Sequence, residues 1–233
     1  MAQDDAGRRA QGRAEAQQAI AAVVVTGGAP LDARAVAAVP DGAYVVAADG
    51  GLDHARAAGL APDALVGDLD SVSAAGLAWA HEHATVHTHP ADKAATDTEL
   101  AVARALAVSP RRLILLAGAG DRLDHTIAAL GALGAPALDH LEAVEAWWGA
   151  DHLLVATPDR PVALTDPVGT TFSVLAMHGP VSGVTITGAR WPLDDVELLP
   201  LVGWGVSNQV AGAVVHVSVS DGVLTVIVPH SQP

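Results

Sequence analysis

Apolar and polar positions follow two different rhythms along the chain. From residue 20 onward, short β-branched runs at 22–25, 44–48, 64–66, 85–87 and 113–116 alternate with Ala-rich segments at 31–39, 52–58, 74–83, 97–107 and 123–133. Strand and helix in repetition predict a parallel sheet with crossover helices. One helix start is marked by Thr96-Asp97-Thr98-Glu99, where Thr96 can cap the backbone at Glu99 and Glu99 can reach back. After Gly149 the rhythm changes. Runs at 153–156, 171–175, 184–187, 214–219 and 224–228 are separated by Pro, Gly and Asp turns, and no segment has helical spacing. That pattern predicts an all-β module, a small sandwich. The expected fold is α/β: a disordered tail over 1–19, a parallel Rossmann-like sheet domain over 20–149, and a β-sandwich domain over 150–233.

Composition narrows the function classes. The 233 residues carry 12 Lys+Arg against 26 Asp+Glu, a formal net charge of -14, and no cysteine. Without Cys there is no disulfide framework and no thiolate site. The negative charge argues against nucleic acid and anionic membranes as partners, since both need a positive field. An apolar fraction of 51% is too high for a disordered chain. No run of about 18 apolar residues occurs to span a bilayer. No signal-like apolar stretch opens the chain, so a cytoplasmic location is expected.

The acids cluster where the predicted strands end. Asp49 follows the second run, Asp68 and Asp70 the third, Asp92 and Asp97 the fourth, and Arg122 and Asp124 the fifth. In an open parallel sheet all these ends share one edge, where ligands bind. Carboxylates crowded there would raise one another's pKa unless a cation sat among them. An all-oxygen set suits Mg²⁺ better than Zn²⁺. Gly27, Gly28, Gly50, Gly51, Gly118 and Gly120 let backbone N–H groups approach phosphate, and Lys93 and Arg122 add positive charge. The residues therefore point to a Mg²⁺-nucleotide site for phosphoryl-type transfer. Each piece alone also has a plainer reading. Asp49-Gly50 can be an ordinary turn, 67–71 a loop with a helix cap, and Asp124-His125 a response to a helix dipole.

The ordered motifs ADGG (from Ala48), GDLDS (from Gly67), DKAATD (from Asp92) and GDRLDH (from Gly120) resemble the catalytic domain of thiamine pyrophosphokinases. In the second half, GARWPLDD (from Gly188) resembles the family's Gly-x-x-Tyr-Pro-Leu segment, and GVSNQV (from Gly205) its Ser-Asn segment. The resemblance implies transfer of a diphosphoryl group from ATP to thiamine, giving AMP and thiamine diphosphate. It implies Asp68, Asp70 and Asp97 as Mg²⁺ ligands with Asp49 close by, and Asp49, Gly50, Lys93, Gly120 and Arg122 around ATP. Lys93 stands where some relatives have Gln. Asp70, Asp97, Arg122 and Asp124 would form the catalytic set, with Asp124 orienting or deprotonating the thiamine hydroxyl. Ser207 and Asn208 would contact thiamine. The resemblance also implies a homodimer whose sites lie between the α/β half of one subunit and the β half of the other.

The sequence departs from the family at two places. Asp121 adds a carboxylate within Gly120-Asp121-Arg122. The last strand, 224–228, lacks the aromatic that stacks on thiamine in animal enzymes, leaving Trp191 or Trp204 to take that place. A diphosphokinase for another hydroxymethyl heterocycle, such as a pterin, and a non-catalytic nucleotide sensor are the competing readings. Outside these motifs, His81, His83, His87 and His89 with Glu82 read as a solvated helix end and strand edge rather than a metal site. Trp147-Trp148 reads as packing between domains or subunits. Thr26 to Pro30 reads either as a nucleotide contact or as a plain turn.

Overall fold

The computed structural model describes residues 21–120 and 122–230; the tail expected over 1–19 and Asp121 lie outside the described residues. In chain order the first half contains β1 (Ala21–Val25), α1 (Ala33–Ala37), β2 (Tyr44–Ala48), α2 (Gly51–Ala57), β3 (Ala64–Gly67), α3 (Ala74–His83), β4 (Thr85–Thr88), α4 (Asp97–Leu106), β5 (Arg112–Ala117), α5 (Leu123–Ala132) and β6 (Ala143–Trp148). The second half is β7 (Asp151–Ala156), β8 (Val162–Leu164), β9 (Thr171–Leu175), β10 (Val181–Thr187), β11 (Leu193–Leu198), β12 (Asn208–Gln209), β13 (Val215–Ser218) and β14 (Leu224–Val228). None of the described helices is long and apolar enough to cross a membrane.

Ten strands form one sheet in the order β12-β9-β14-β7-β6-β5-β1-β2-β3-β4. From β6 to β4 all neighbours are parallel, as βαβ crossovers require. From β6 outward through β7, β14, β9 and β12 they are antiparallel. The sheet therefore runs through residue 149 without a break. A second, antiparallel sheet, β11-β10-β13-β8, completes the sandwich in the β half. Strand order reverses between β1 and β5, which opens a crevice at the carboxyl ends of those two strands.

Small residues bring the helices close to the sheet. α4 buries Ala101, Val102 and Ala105 against a core that also holds Val24, Val46, Val66, Leu113 and Leu115. Its start carries the capping box expected from the sequence: Thr96 N–H donates to Glu99 Oε2 at 2.7 Å, and Glu99 N–H to Thr96 Oγ1 at 3.2 Å. The opposite face of the parallel sheet packs on α1 and α2 through Val23, Val25, Ile114, Leu116, Ala35 and Ala55. A third core, around Phe172, Val174, Ile186 and Val217, joins the two sheets of the β half.

β11 escaped the sequence reading because its run, Leu-Asp-Asp-Val-Glu-Leu, carries three acids; they belong to a strand at the edge of the small sheet.

Arg160 is 5% exposed and donates three hydrogen bonds of 3.0 Å, from Nε to the Val155 carbonyl and from Nη1 to those of Leu138 and Leu141. It ties the segment before β6 to the end of β7. Replacing it by Met removes all three bonds, while the Leu138 carbonyl keeps a bond from Leu141 N–H at 3.1 Å. Arg160→Met is expected to lower unfolding free energy by about 3 kcal/mol, measured by urea denaturation, with the native fold retained in the absence of denaturant.

Candidate active site

Six strand ends converge on a cavity of about 540 Å³ at the carboxyl edge of the parallel strands. Thr26, Gly27 and Gly28 reach it from β1, Asp49 and Gly50 from β2, and Asp68 and Ser71 from β3. Lys93 and Asp97 come from the β4–α4 connection, Gly118, Gly120 and Arg122 from beyond β5, and Trp148 from the end of β6. Close backbone approach explains two glycines. A Cβ on Gly51 would collide with the Val25 carbonyl, and one on Gly118 with the Ala29 carbonyl. Asp49 sits at φ +46°, a left-handed conformation that a non-glycine residue adopts only when its surroundings hold it there. Its N–H bonds the Val66 carbonyl at 2.9 Å, and its own carbonyl accepts from Leu52 N–H at 3.0 Å.

Asp49, Asp68 and Asp97 offer carboxylate oxygens that all lie within 4.8 Å of one another. Lys93 Nζ stands 3.0 Å from Asp97 Oδ1 and 3.8 Å from Asp68 Oδ2. Burial and the charges of Asp70, Asp97 and Asp68 push the Asp49 carboxyl above the usual range, against a Ser71 hydrogen bond. The Asp97 hydrogen bond holds the Lys93 ammonium above its ordinary pKa. Asp49 Oδ1 is buried with no hydrogen-bond partner among the described residues. An orphaned oxygen beside two further carboxylates fits a hard divalent cation such as Mg²⁺. Asp70 does not join this group. It lies one residue past Leu69, itself at φ +68°, and accepts a 2.8 Å hydrogen bond from Ser71 Oγ.

The loop that carries Asp68 is braced from α2. Asp53 accepts from Ser73 N–H and Ser73 Oγ, each at 2.7 Å, and Ser73 caps α3 through Gly76 N–H. Arg122 forms a two-pronged pair with Asp124, with 2.9 Å from Nε and 2.7 Å from Nη2. That pair holds the Asp124 carboxyl well below the usual carboxylate range. The arrangement makes Asp124 a brace for the guanidinium plane.

Ser207 and Asn208 lie in the β half and do not line this cavity. Asn208 is 6% exposed, and its amide is spent on main chain. Nδ2 donates to the Trp191 carbonyl at 2.7 Å, and Oδ1 accepts from Trp191 N–H at 3.1 Å and Gln209 N–H at 2.8 Å. Ser207 N–H donates to Ser173 Oγ at 3.1 Å. Asn208 borders a shallow recess of about 80 Å³ with Trp191, Leu193, Trp204 and Val206.

His54 and Thr126, which the sequence reading did not single out, line the large cavity together with His125 and Thr98, which it named only at helix starts. Trp148, expected to pack between units, is half-buried and lines it too. The histidine cluster stays apart. His83 stacks on Trp79 at 5.0 Å, and the carboxylate triad is the one metal-compatible group among the described residues.

Because the Asp49 pKa is raised, its ionised form opposes folding, and the penalty is full above the raised pKa. Asp49→Asn is expected to raise the melting temperature of the metal-free protein at neutral pH by about 2 °C. It should also remove most of the further rise that Mg²⁺ produces in the unsubstituted protein. Thermal melts with and without Mg²⁺ check both.

Residues 38–144 match a family model described as thiamin pyrophosphokinase, catalytic domain, and residues 161–224 match thiamin pyrophosphokinase, vitamin B1 binding domain. Comparison with curated sequences gives no match. Among solved structures, thiamine pyrophosphokinase from Bacillus subtilis superposes with a TM-score of 0.78 at 20% identity, covering 91% of this chain and 100% of that one. A thiamin pyrophosphokinase family protein from Enterococcus faecalis gives 0.76 at 24%, covering 91% and 99%. Thiamin pyrophosphokinase from Candida albicans gives 0.72 at 14%, covering 93% and 90%. With two successive domain models of one family spanning most of its length, the chain belongs to the thiamine pyrophosphokinases, enzymes that form thiamine diphosphate.

Proposed function

We propose that the chain transfers the diphosphoryl group of ATP to the hydroxyl of thiamine and releases AMP, with Mg²⁺ as the required ion. The observation that carries this reading is the Asp49, Asp68 and Asp97 triad with Lys93, set at the edge of the β1–β5 crevice. In the proposal these three carboxylates hold Mg²⁺, and Asp70 stands beside them as a further charge. The ion, when bound, neutralises charge that builds on the phosphate oxygens. Diphosphoryl transfer is mostly positioning and charge stabilisation, so the protein's task is to align hydroxyl and phosphorus. Glycine backbone at Gly50 and Gly120 leaves room for phosphate, and Lys93 supplies a mobile positive charge. Arg122, its planar guanidinium oriented by the two bonds to Asp124, brings positive charge to the group in flight.

The acceptor half of the proposal rests on the β domain. Trp191 and Trp204 are 51% and 61% exposed around the Asn208 recess, and Leu199, Leu201, Val202 and Val206 are exposed nearby in sequence. On α5, Leu123 and Ile127 are 69% and 60% exposed beside Arg122. Apolar surface at both places supports a homodimer in which one subunit's recess faces its partner's cavity. Ser207 and Asn208 then belong to the acceptor side, with Asn208 holding Trp191 in place.

Incubation with ATP, Mg²⁺ and thiamine is expected to yield AMP, and a hydroxymethylpterin in place of thiamine none. ADP as product would overturn diphosphoryl transfer, and AMP with the pterin alone would change the acceptor. Arg122→Ala is expected to lower kcat by at least about 10²-fold with the fold intact, in line with loss of a charge-stabilising donor.

A further inference from the structure

The cavity has two chemically distinct ends. The carboxylates all come from the β2, β3 and β4 side, whereas no described acidic side chain lines the side nearest β6. There the wall is Trp148, with Ala128, Ala129, Thr126 and His125 of α5. Strand order gives the span between the ends. Trp148 ends β6, and Asp49 and Asp68 follow β2 and β3, with β5 and β1 between. At the usual interstrand spacing that is about 14 Å to Asp49 and about 19 Å to Asp68. This matches an extended nucleoside triphosphate laid across the sheet edge. Its phosphates would lie at the cation end, over the glycines of the β1 and β5 loops, and its base at the other.

We propose that Trp148 is the platform on which the adenine base of ATP stacks, an inference that rests on reading the cavity as an ATP site. Its position is rigid. Trp148 pairs with Ala117 of β5 on one side and with Asp151 of β7 on the other, and part of its ring packs against the core of the α4–α5 face. A ring already held loses little freedom when a base lands on it. Ala128 and Ala129, which line the same cavity, are small and take up little of the space a base would need. Thr126 and His125 supply hydrogen-bonding groups for the ring edge. The neighbouring tryptophan cannot do this work. Adjacent strand residues face opposite ways, and Trp147 is stacked on His152 at 4.4 Å on the other face of the sheet. Trp191 and Trp204 line the separate recess.

The test separates base from phosphate. Binding of ATP and of inorganic tripolyphosphate, both with Mg²⁺, is measured by calorimetry for the unsubstituted protein and for Trp148→Phe, Trp148→Leu and Trp148→Ala. The KM for ATP and the KM for thiamine are measured alongside. Leu and Ala are expected to weaken ATP about tenfold, Phe to restore most of the loss, and tripolyphosphate to bind alike in every folded variant. If Ala fails to fold, Leu against Phe carries the comparison, since both keep apolar bulk and only Phe keeps a ring. Equal ATP binding in Leu and Phe overturns the proposal, as does an equal loss of tripolyphosphate binding, which makes Trp148 a general support of the cavity. A rise confined to the thiamine KM also overturns it, moving Trp148 to the acceptor. Failure of the unsubstituted protein to bind ATP at all would instead sink the ATP-site reading itself.

Discussion

The hydrogen-bonded ladder between β6 and β7 joins the two halves of the molecule, and a buried charge network is built across it. Glu145 of β6 is 8% exposed, accepts a hydrogen bond from Arg112 Nη2 of β5 at 2.7 Å, and forms an ion pair with the same guanidinium, 2.7 Å from Nε. His152 of β7 stands 3.2 Å from the same carboxylate. Burial by itself would raise the Glu145 carboxyl, but the His152 and Arg112 hydrogen bonds hold it below its ordinary value. A buried charge left without partners is costly, so the three strands keep one arrangement if the network is to stay satisfied. On one side of this join every strand is parallel and its carboxyl end faces the cavity. On the other side every strand is antiparallel, and the faces alternate into the sandwich. The join turns two expected modules into one continuous sheet, and it fixes the strand end from which Trp148 projects.

The cavity edge reverses the usual economy of a protein surface. Acids are brought together in mutual repulsion, and one of them, Asp49, is both left-handed and carries a buried oxygen with no hydrogen-bond partner among the described residues. Such strain persists only where the surrounding frame over-determines it. That frame is visible here. The β2 and β3 backbones bond across the base of Asp49, Ser73 and Asp53 lock the following loop, and the Thr96 cap sets the start of the helix that carries Asp97. Lys93 offsets part of the repulsion until charged ligands arrive.

Much of the fold was legible because its local signals agree with its global plan. The strand runs, the Ala-rich crossovers and the Thr96–Glu99 box each specify the element found. Less legible was what depends on backbone turns within a loop. Spacing puts Asp49, Asp68, Asp70 and Asp97 at one edge, yet only the left-handed turns at Asp49 and Leu69 decide which oxygens meet, so Asp49 rather than Asp70 completes the triad. Trp147 and Trp148 look alike in sequence. Their roles differ because one residue of register sends them to opposite faces, a distinction invisible until the ladder partners are known. Asn208 was legible as special, but its buried tie to the Trp191 main chain could not be read from a Ser-Asn pair.

Lys93 has a consequence for the chemistry of the whole chain. It is the only lysine among 233 residues, so the protein has a single side-chain amine. That amine is 15% exposed and held protonated by Asp97, and a protonated amine is no nucleophile. Acylating, carbamylating and aldehyde reagents that decorate most proteins at many lysines therefore meet one side-chain target here, masked while its ion pair stands. Reaction at that one amine reports the opening of the carboxylate cluster, which gives the site a chemical signal free of background from other side-chain amines.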